Sequence, residues 1–382
     1  MVSFMPPLTY GVVQELAQEP ISNIPQQYVQ ENQEPAMPTD GDGASSLPTM
    51  PVVDLNRLIE RETKDSELER LHTVCKEWGM FQLVNHGVSI SLVEKLKSEI
   101  KNFYESPLEE RTRYKIRPGD FEGYGQTILH SADQKVDWAD RFYMMTNPIH
   151  RRKPHLMPEL PSSFRSSLSL SLSLSLSTRS NTHSHTLTLE SYFSELQKLS
   201  MTLFGLMAEA LKMDKIEIEG MFEDGLQSVR MNYYPPCPQP EQVIGLTPHS
   251  DATGITILLQ VNGVEGLQVK KDGVWLPVKF LPDAFVVNLG DIMEILSNGL
   301  YNSIEHRATV NSTTERISIA MFFNPKIEAE VGPALSLTNS KNPPLFKRVL
   351  QEEYLKDFFS RKLNGKFFLE HMKIKTGQGQ PN

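Results

Sequence analysis

Cysteine is scarce in this chain, with two residues, Cys75 and Cys237, among 382. That excludes a disulfide scaffold and fits a reducing compartment, so a cytoplasmic location is expected. Long apolar runs are also missing. None approaches the roughly 18–20 residues that span a bilayer, and no membrane partner is expected. Met1 to Gln26 lacks the basic flank and apolar stretch of a signal peptide. Surplus positive charge is absent as well, because 38 Lys and Arg face 47 Asp and Glu for a net charge of −9. Nucleic-acid binding needs a basic field and is therefore disfavoured, whereas a small cationic pocket for an acidic metabolite is not. What remains is an ordinary globular composition, with 39% hydrophobic residues in a chain long enough for a sizeable core.

Composition divides the chain into segments. Residues 1–50 are rich in Pro, Gln, Glu, Asp and Gly and are expected to form a flexible arm, with one short amphipathic helix between Leu8 and Ala17. Residues 51–165 read as a mostly helical unit. It holds a short strand at Val52-Val53, a helix from Glu67 to Trp78 with Leu68, Leu71, Val74 and Cys75 on one stripe, and a strand from Met80 to Asn85. Ser89 or Ser91 can cap a helix running to Tyr104, and Pro107 starts another. From Ser167 to Ser177 Ser and Leu alternate without a break. Strict alternation suits a strand, but every apolar residue is Leu rather than a β-branched type, which favours low complexity. A CT dinucleotide tract would encode such a repeat. Residues 166–188 are thus expected to be an insertion of gene-model or splicing origin, looped out of the fold. Residues 189–225 form a helical connector.

Residues 226–327 have a different texture. Short apolar runs alternate with Gly, Pro, Asn and Asp turns: Ile255 to Val261, Gly266 to Lys270, Val274 to Val278, Phe285 to Leu289 and Ile317 to Phe323. Asp272-Gly273 between two such runs is a strong hairpin signal. Many short strands at this spacing suggest a sandwich or barrel. Helices return in 328–382, from Phe346 to Phe359 and beyond. The fold class expected is mixed α+β, a β core flanked by helices.

Parity picks out the chemistry-bearing residues. In a strand, residues i and i+2 share a face. His249 and Asp251 could therefore grip one metal together, though such a pair is more often a surface hydrogen-bonding pair. His306 offers a third ligand, and two imidazoles with one carboxylate leave open positions on an iron. Arg316 and Ser318 share a face with Ala320 and Phe322, while Ile317, Ile319 and Met321 share the other. A guanidinium beside a hydroxyl suits a carboxylate, because its N–H donors form a fork. Upstream, Arg230, Asn232 and Tyr234 share a face before Pro235-Pro236 end the strand. Taken alone, each of these would also fit an ordinary half-exposed strand. His86 is assigned to fixing a turn, and Cys237 has no basic partner that would make it a nucleophile.

Together, Asn232-Tyr233-Tyr234-Pro235-Pro236-Cys237-Pro238, His249-Ser250-Asp251, His306 and Arg316-Ile317-Ser318 resemble the plant 2-oxoglutarate/Fe(II)-dependent dioxygenases. Cys75 to Gly87, Asp137 to Asp140 and Leu363 to Lys366 extend the resemblance over nearly the whole chain. It points to the senescence-related, codeine demethylase-like and norcoclaurine synthase-like branch. Residues 166–188 depart from that family.

The resemblance implies a double-stranded β-helix, or jelly roll. Its Fe(II) would be held by His249, Asp251 and His306, with 2-oxoglutarate as co-substrate, O2 as oxidant and ascorbate as reductant. Arg316, Ser318, Tyr234 and Asn232 would contact the 2-oxoglutarate. Tyr124, Arg230, Phe322 and Asn324 would line the substrate pocket, with Phe142 and Tyr143 as aromatic walls. The activity implied is hydroxylation or O-demethylation of a small aromatic plant metabolite by a monomer. An ascorbate-dependent ethylene-forming oxidase, a norcoclaurine synthase-like condensing enzyme and an inactive scaffold stay open as alternatives.

Overall fold

Strands buried on both faces read as near-continuous apolar runs, and such strands build the centre of this molecule. The computed structural model describes residues 12–17, 23–30, 34, 48–126, 134–158, 180–361 and 364–374. Its strands are β1 (Val52–Asp54), β2 (Met80–Val84), β3 (Gly123–Gly125), β4 (Asp140–Asn147), β5 (Gln227–Tyr234), β6 (Leu246–His249), β7 (Ile255–Gln260), β8 (Leu267–Lys271), β9 (Val274–Pro277), β10 (Phe285–Leu289), β11 (His306–Ala308) and β12 (Arg316–Phe323). Eight of them form one sheet in the order β1-β2-β10-β7-β12-β5-β4-β3, and a smaller sheet runs β6-β11-β8-β9. The two are the facing layers of a jelly roll. Strands from the helical N-terminal unit supply both edges of the large sheet, so the main sheet is shared across the boundary expected at residue 226.

The helices are α1 (Val13–Leu16), α2 (Leu55–Ile59), α3 (Lys64–Glu77), α4 (Ile90–Glu105), α5 (Leu108–Thr112), α6 (Ser180–Leu211), α7 (Lys215–Phe222), α8 (Asp291–Leu296), α9 (Gln351–Phe359) and α10 (Phe367–Met372). Helices α3, α4 and α6 cover one face of the large sheet. Leu71, Val74, Leu96, Ile100, Leu196 and Leu203 pack there with Ile317, Ile319, Met321, Val229 and Met231 in one core. The opposite face looks toward the small sheet. Towards β10 and β7 it is apolar, with Met80, Val286 and Leu258 against Val269 and Leu276. The expected hairpin is present: Asp272 (φ +50°) and Gly273 (φ +80°) join β8 to β9, and positive φ at both turn residues suits the twist of the flanking strands.

Three expectations need correction. Parts of the N-terminal arm are packed: Val13, Ile24 and Tyr28 are buried with Trp138, Cys237 and Val243. The Asp140 carboxylate anchors the arm by accepting the Val13 and Gln14 backbone N–H groups, each at 2.9 Å. Further along, Glu34 pairs with Lys270 and accepts from Trp275 Nε1, both at 2.8 Å. Second, α6 begins at Ser180 rather than Leu189, so the end of the supposed insertion is helical. Thr188 is buried there, donating to Glu99 at 3.1 Å. The Ser-Leu run itself lies outside the described residues. Third, the last long helix starts at Gln351, because Val349–Leu350 instead pairs with Glu330–Val331 as a strand.

Candidate metal and co-substrate site

Antiparallel pairing brings the distant histidine to the His-x-Asp pair. On β6 and β11, His249 and His306 are register partners, with ring centroids 4.4 Å apart. Asp251 follows β6. Its Oδ1 lies 3.4 Å from His249 Nε2 and 3.8 Å from His306 Nε2. These three buried residues are the group among the described residues whose ligand atoms converge within 4.8 Å.

Backbone carbonyls set the imidazole tautomers. His249 Nδ1 lies 2.8 Å from Thr247 O, and His306 Nδ1 lies 3.2 Å from Ile304 O. A carbonyl can only accept, so each Nδ1 donates and each Nε2 lone pair is turned toward the shared point. Asp251 is oriented in the same manner. Its Oδ2 accepts from Thr256 Oγ1 at 2.6 Å and Asn288 Nδ2 at 2.8 Å, which leaves Oδ1 for the centre. Gly290 makes this packing possible, since a Cβ there would sit 2.2 Å from Thr253 O and 2.7 Å from Asp251 O. Burial alone would raise the Asp251 carboxyl, but the neighbouring imidazoles and the Thr256 hydroxyl hold it well below the usual carboxylate range. His306 is pushed down to about 4, by burial and then by His249. A neutral imidazole and an ionised carboxylate are the forms that bind a metal.

The cationic end of the site lies on β12 and β5. Arg316 pairs with Tyr234 and Ser318 with Asn232 across the two strands, and Asn232 Nδ2 donates to Ser318 Oγ at 3.3 Å. Arg316 is 2% exposed and Ser318 fully buried. The guanidinium donates to Gln260 Oε1 at 3.0 Å and to the Tyr234 hydroxyl, and lies 5.0 Å from the Tyr234 ring centroid. Its Nε has no partner, nor has Asn232 Oδ1. Gly266 lets the side chain pass, because a Cβ would stand 2.9 Å from Arg316 Cδ. Burial lowers the pKa of Arg316, yet a guanidinium stays charged at neutral pH. A buried cation with an unused donor is built to receive an anion.

Placement of the expected substrate residues is mixed. Phe322 is half-buried on the same face and pairs with Thr256. Asn324 follows the end of β12, buried, with its Oδ1 unpartnered. Arg230 is half-buried, with Nε and Nη2 unpartnered. Tyr124 is not in the site. It pairs with Phe142 across β3 and β4 and shares the helix-covered core, where Arg111 Nη1 donates to its hydroxyl at 3.1 Å. Phe142 likewise packs on Phe103 and Tyr114, both at 5.8 Å, instead of walling the site. Tyr143, one residue on, does face inward, opposite Arg230. Residues that sequence reasoning missed are Thr256, Asn288, Gln260 and Arg141. His86 fixes its turn as expected, donating from Nε2 to Asp283 O at 3.0 Å and accepting the Val88 N–H at Nδ1. Burial raises the Cys237 thiol, in keeping with an inert residue.

Comparison with known proteins agrees with this geometry. Residues 225–325 match the 2OG-Fe(II) oxygenase superfamily, and residues 50–160 match the N-terminal region described as "non-haem dioxygenase in morphine synthesis". Codeine O-demethylase of Papaver somniferum is 49% identical over 372 residues, covering 96% of this chain and 97% of the relative. Oxoglutarate-dependent flavonoid 7-O-demethylase 1 of Ocimum basilicum is 46% identical, covering 95% and 91%. The crystal structure of JOX2 in complex with 2OG, Fe and JA superposes with a TM-score of 0.81 at 32% identity, over 96% of this chain and 98% of that one. The chain therefore belongs to the 2OG-Fe(II) oxygenase superfamily and is an oxidoreductase that uses Fe(II) and 2-oxoglutarate.

Proposed function

We propose that the protein hydroxylates or O-demethylates a small aromatic plant metabolite of alkaloid or flavonoid type, with His249, Asp251 and His306 as the iron ligands. The observation that carries this reading is the convergence of three ligand atoms beside a buried guanidinium with an unused donor. The names of the similar demethylases support the substrate class. Iron held there supplies activation of dioxygen coupled to oxidative decarboxylation of 2-oxoglutarate to succinate and CO2, with oxidation of a substrate C–H bond.

This chain contributes placement and exclusion of water. Arg316, with Ser318 and Tyr234 beside it, would hold the far carboxylate of 2-oxoglutarate and so aim its keto end toward the imidazoles. Asn232, whose Nδ2 donates to Ser318 Oγ at 3.3 Å, would hold that hydroxyl in place beside the co-substrate. The apolar wall of Met80, Leu258 and Val286 keeps that side of the interior dry. Where the oxidised carbon is a methyl ether, the hydroxylated product collapses to formaldehyde and a free hydroxyl.

No described helix is long and apolar enough to cross a membrane. Two buried free cysteines fit a reducing compartment such as the cytoplasm, and the net charge of −9 favours a small molecule over nucleic acid as the substrate.

Succinate release with Fe(II), 2-oxoglutarate and a panel of methoxylated alkaloids and flavonoids tests the proposal. Release stimulated by at least one of them, with formaldehyde formed in step for an O-demethylation, is the expected result. Absence of succinate under every condition would refute it. A finer test concerns the Thr256 hydroxyl, which fixes Asp251 Oδ2. Thr256→Val should weaken iron binding by roughly 10–100-fold without abolishing it, as read by competition with a chelator. An unchanged iron affinity would mean that Asn288 alone orients the carboxylate.

A further inference from the structure

Register on β4 and β5 brings a second pair of cations to the inner face. Arg141 is the partner of Asn232, and Tyr143 the partner of Arg230. Arg141 and Arg230 are thus diagonal neighbours on the face that carries Arg316 and Ser318. The two charges act on one another: Arg141 is pushed down to about 9, by burial and then by Arg230. Strand β5 lies between β4 and β12, so Arg230 stands between Arg141 and the strand that carries Arg316 and Ser318.

Among the described residues neither guanidinium forms a close ion pair with a carboxylate. Arg230 Nε and Nη2 are buried without a hydrogen-bond partner, and Arg141 Nε is held by the Gln126 carbonyl at 3.3 Å. Asp137 is the acid whose charge both guanidinia feel; its Oδ1 accepts the Thr247 N–H and hydroxyl at 3.0 and 2.6 Å, so it offsets part of their charge without pairing with either. Glu122 is committed to Lys153 at 2.9 Å and to the Met145 N–H at 2.7 Å. Arg316, whose role is to hold the co-substrate, is a third cation on the same face. Aromatic surface accompanies the charge, with Phe121 lying 6.0 Å from the Tyr143 ring and stacking on Phe359 at 5.1 Å.

We propose that Arg141 and Arg230 form an anion-reading subsite, which selects an aromatic substrate bearing a carboxylate or ionised phenolate and rejects one bearing a protonated amine. The proposal rests on the oxygenase reading above and narrows its substrate class to the acidic side. An ammonium group would enter a site where two guanidinia share the charge of one carboxylate, Asp137, and like charges in a desolvated pocket repel strongly. An anionic oxygen would satisfy the idle Arg230 donors and relieve the repulsion between the two guanidinia.

A matched set of ligands tests this. Protein loaded with Fe(II) and saturating 2-oxoglutarate is titrated without oxygen with 4-methoxycinnamic acid, its methyl ester and the corresponding cinnamyl amine, and affinities are read by calorimetry. A methoxynitrophenol, ionised at the working pH, separates phenolate from carboxylate. An anion should bind about tenfold or more tightly than the ester, with the amine weakest. Arg141→Met and Arg230→Met should each reduce that preference, and Arg230→Lys should keep part of it. If either variant fails to fold, the preference of the native protein decides alone. An acid and a phenolate that bind no tighter than the ester, or an amine that binds best, would overturn the proposal. Because binding is measured without turnover, absence of succinate with a persisting anion preference would count against the oxygenase reading and leave the subsite standing.

Discussion

Asp251→Asn is expected to leave the protein folded and nearly free of iron, with succinate release reduced at least about a hundredfold. Loss of mere hydrogen-bond partners to a metal ligand already costs roughly 10–100-fold in affinity or activity, and here the ligand itself changes. The reason lies in how the carboxylate is fixed. Thr256 and Asn288 both donate to Oδ2, so an asparagine would turn its carbonyl oxygen toward them and present an NH2 group, without a lone pair, to the imidazoles. The reverse orientation would set that NH2 against the Asn288 amide, a donor facing a donor, at a cost of about 1–3 kcal/mol for the unsatisfied group. Both orientations also remove the negative charge that two neutral imidazoles cannot replace. Iron content after dialysis and succinate release are the two readouts. Stoichiometric iron with near-native turnover would sink the ligand assignment.

How much of this was visible beforehand follows from the range of the interactions. The His-x-Asp pair and the Arg-x-Ser pair could be read from parity, because strand alternation is local. Phe285–Leu289 and the Asp272-Gly273 turn were found for the same reason: each signal fits inside a few residues. His306 was placed by resemblance, since only the pairing of β11 with β6 brings it opposite His249. Tyr124 failed because β3 is three residues long and its facing is set by the register with β4, which no pattern within the strand reveals. Arg141 stands one position beyond the Asp137 to Asp140 stretch, but its facing shows only in the structure, where burial alternates along β4. Thr256, Asn288 and Gln260 are ordinary strand residues whose roles exist only through what they touch. In the N-terminal arm the short amphipathic helix around Val13 was legible, but the apolar residues beyond it are too sparse for a periodic signal. Val13, Ile24 and Tyr28 are nevertheless buried, because Trp138 and Val243 offer them a ready surface.

Arg316→Met should produce two effects of opposite sign. Truncating one partner of a buried, charge-assisted pair typically costs on the order of 2–5 kcal/mol, so the apparent 2-oxoglutarate requirement should rise by roughly 30-fold to several thousandfold. The stability of the protein without co-substrate should not fall in parallel. Arg316 is buried with an idle Nε, and its hydrogen-bond partners are the neutral Gln260 and Tyr234. Replacing an uncompensated buried cation by an apolar side chain of similar length is often neutral or stabilising. Thermal melts with and without 2-oxoglutarate separate the two terms: the variant should melt at or above the parent when both are free of ligand, and lose most of the shift that 2-oxoglutarate gives the parent. Arg316→Lys should fall between them, since a single ammonium keeps the charge but loses the fork that matches a carboxylate. An unchanged 2-oxoglutarate requirement in Arg316→Met would assign the far carboxylate to another cation, and Arg230, which already carries idle donors on the same face, would be the next to replace.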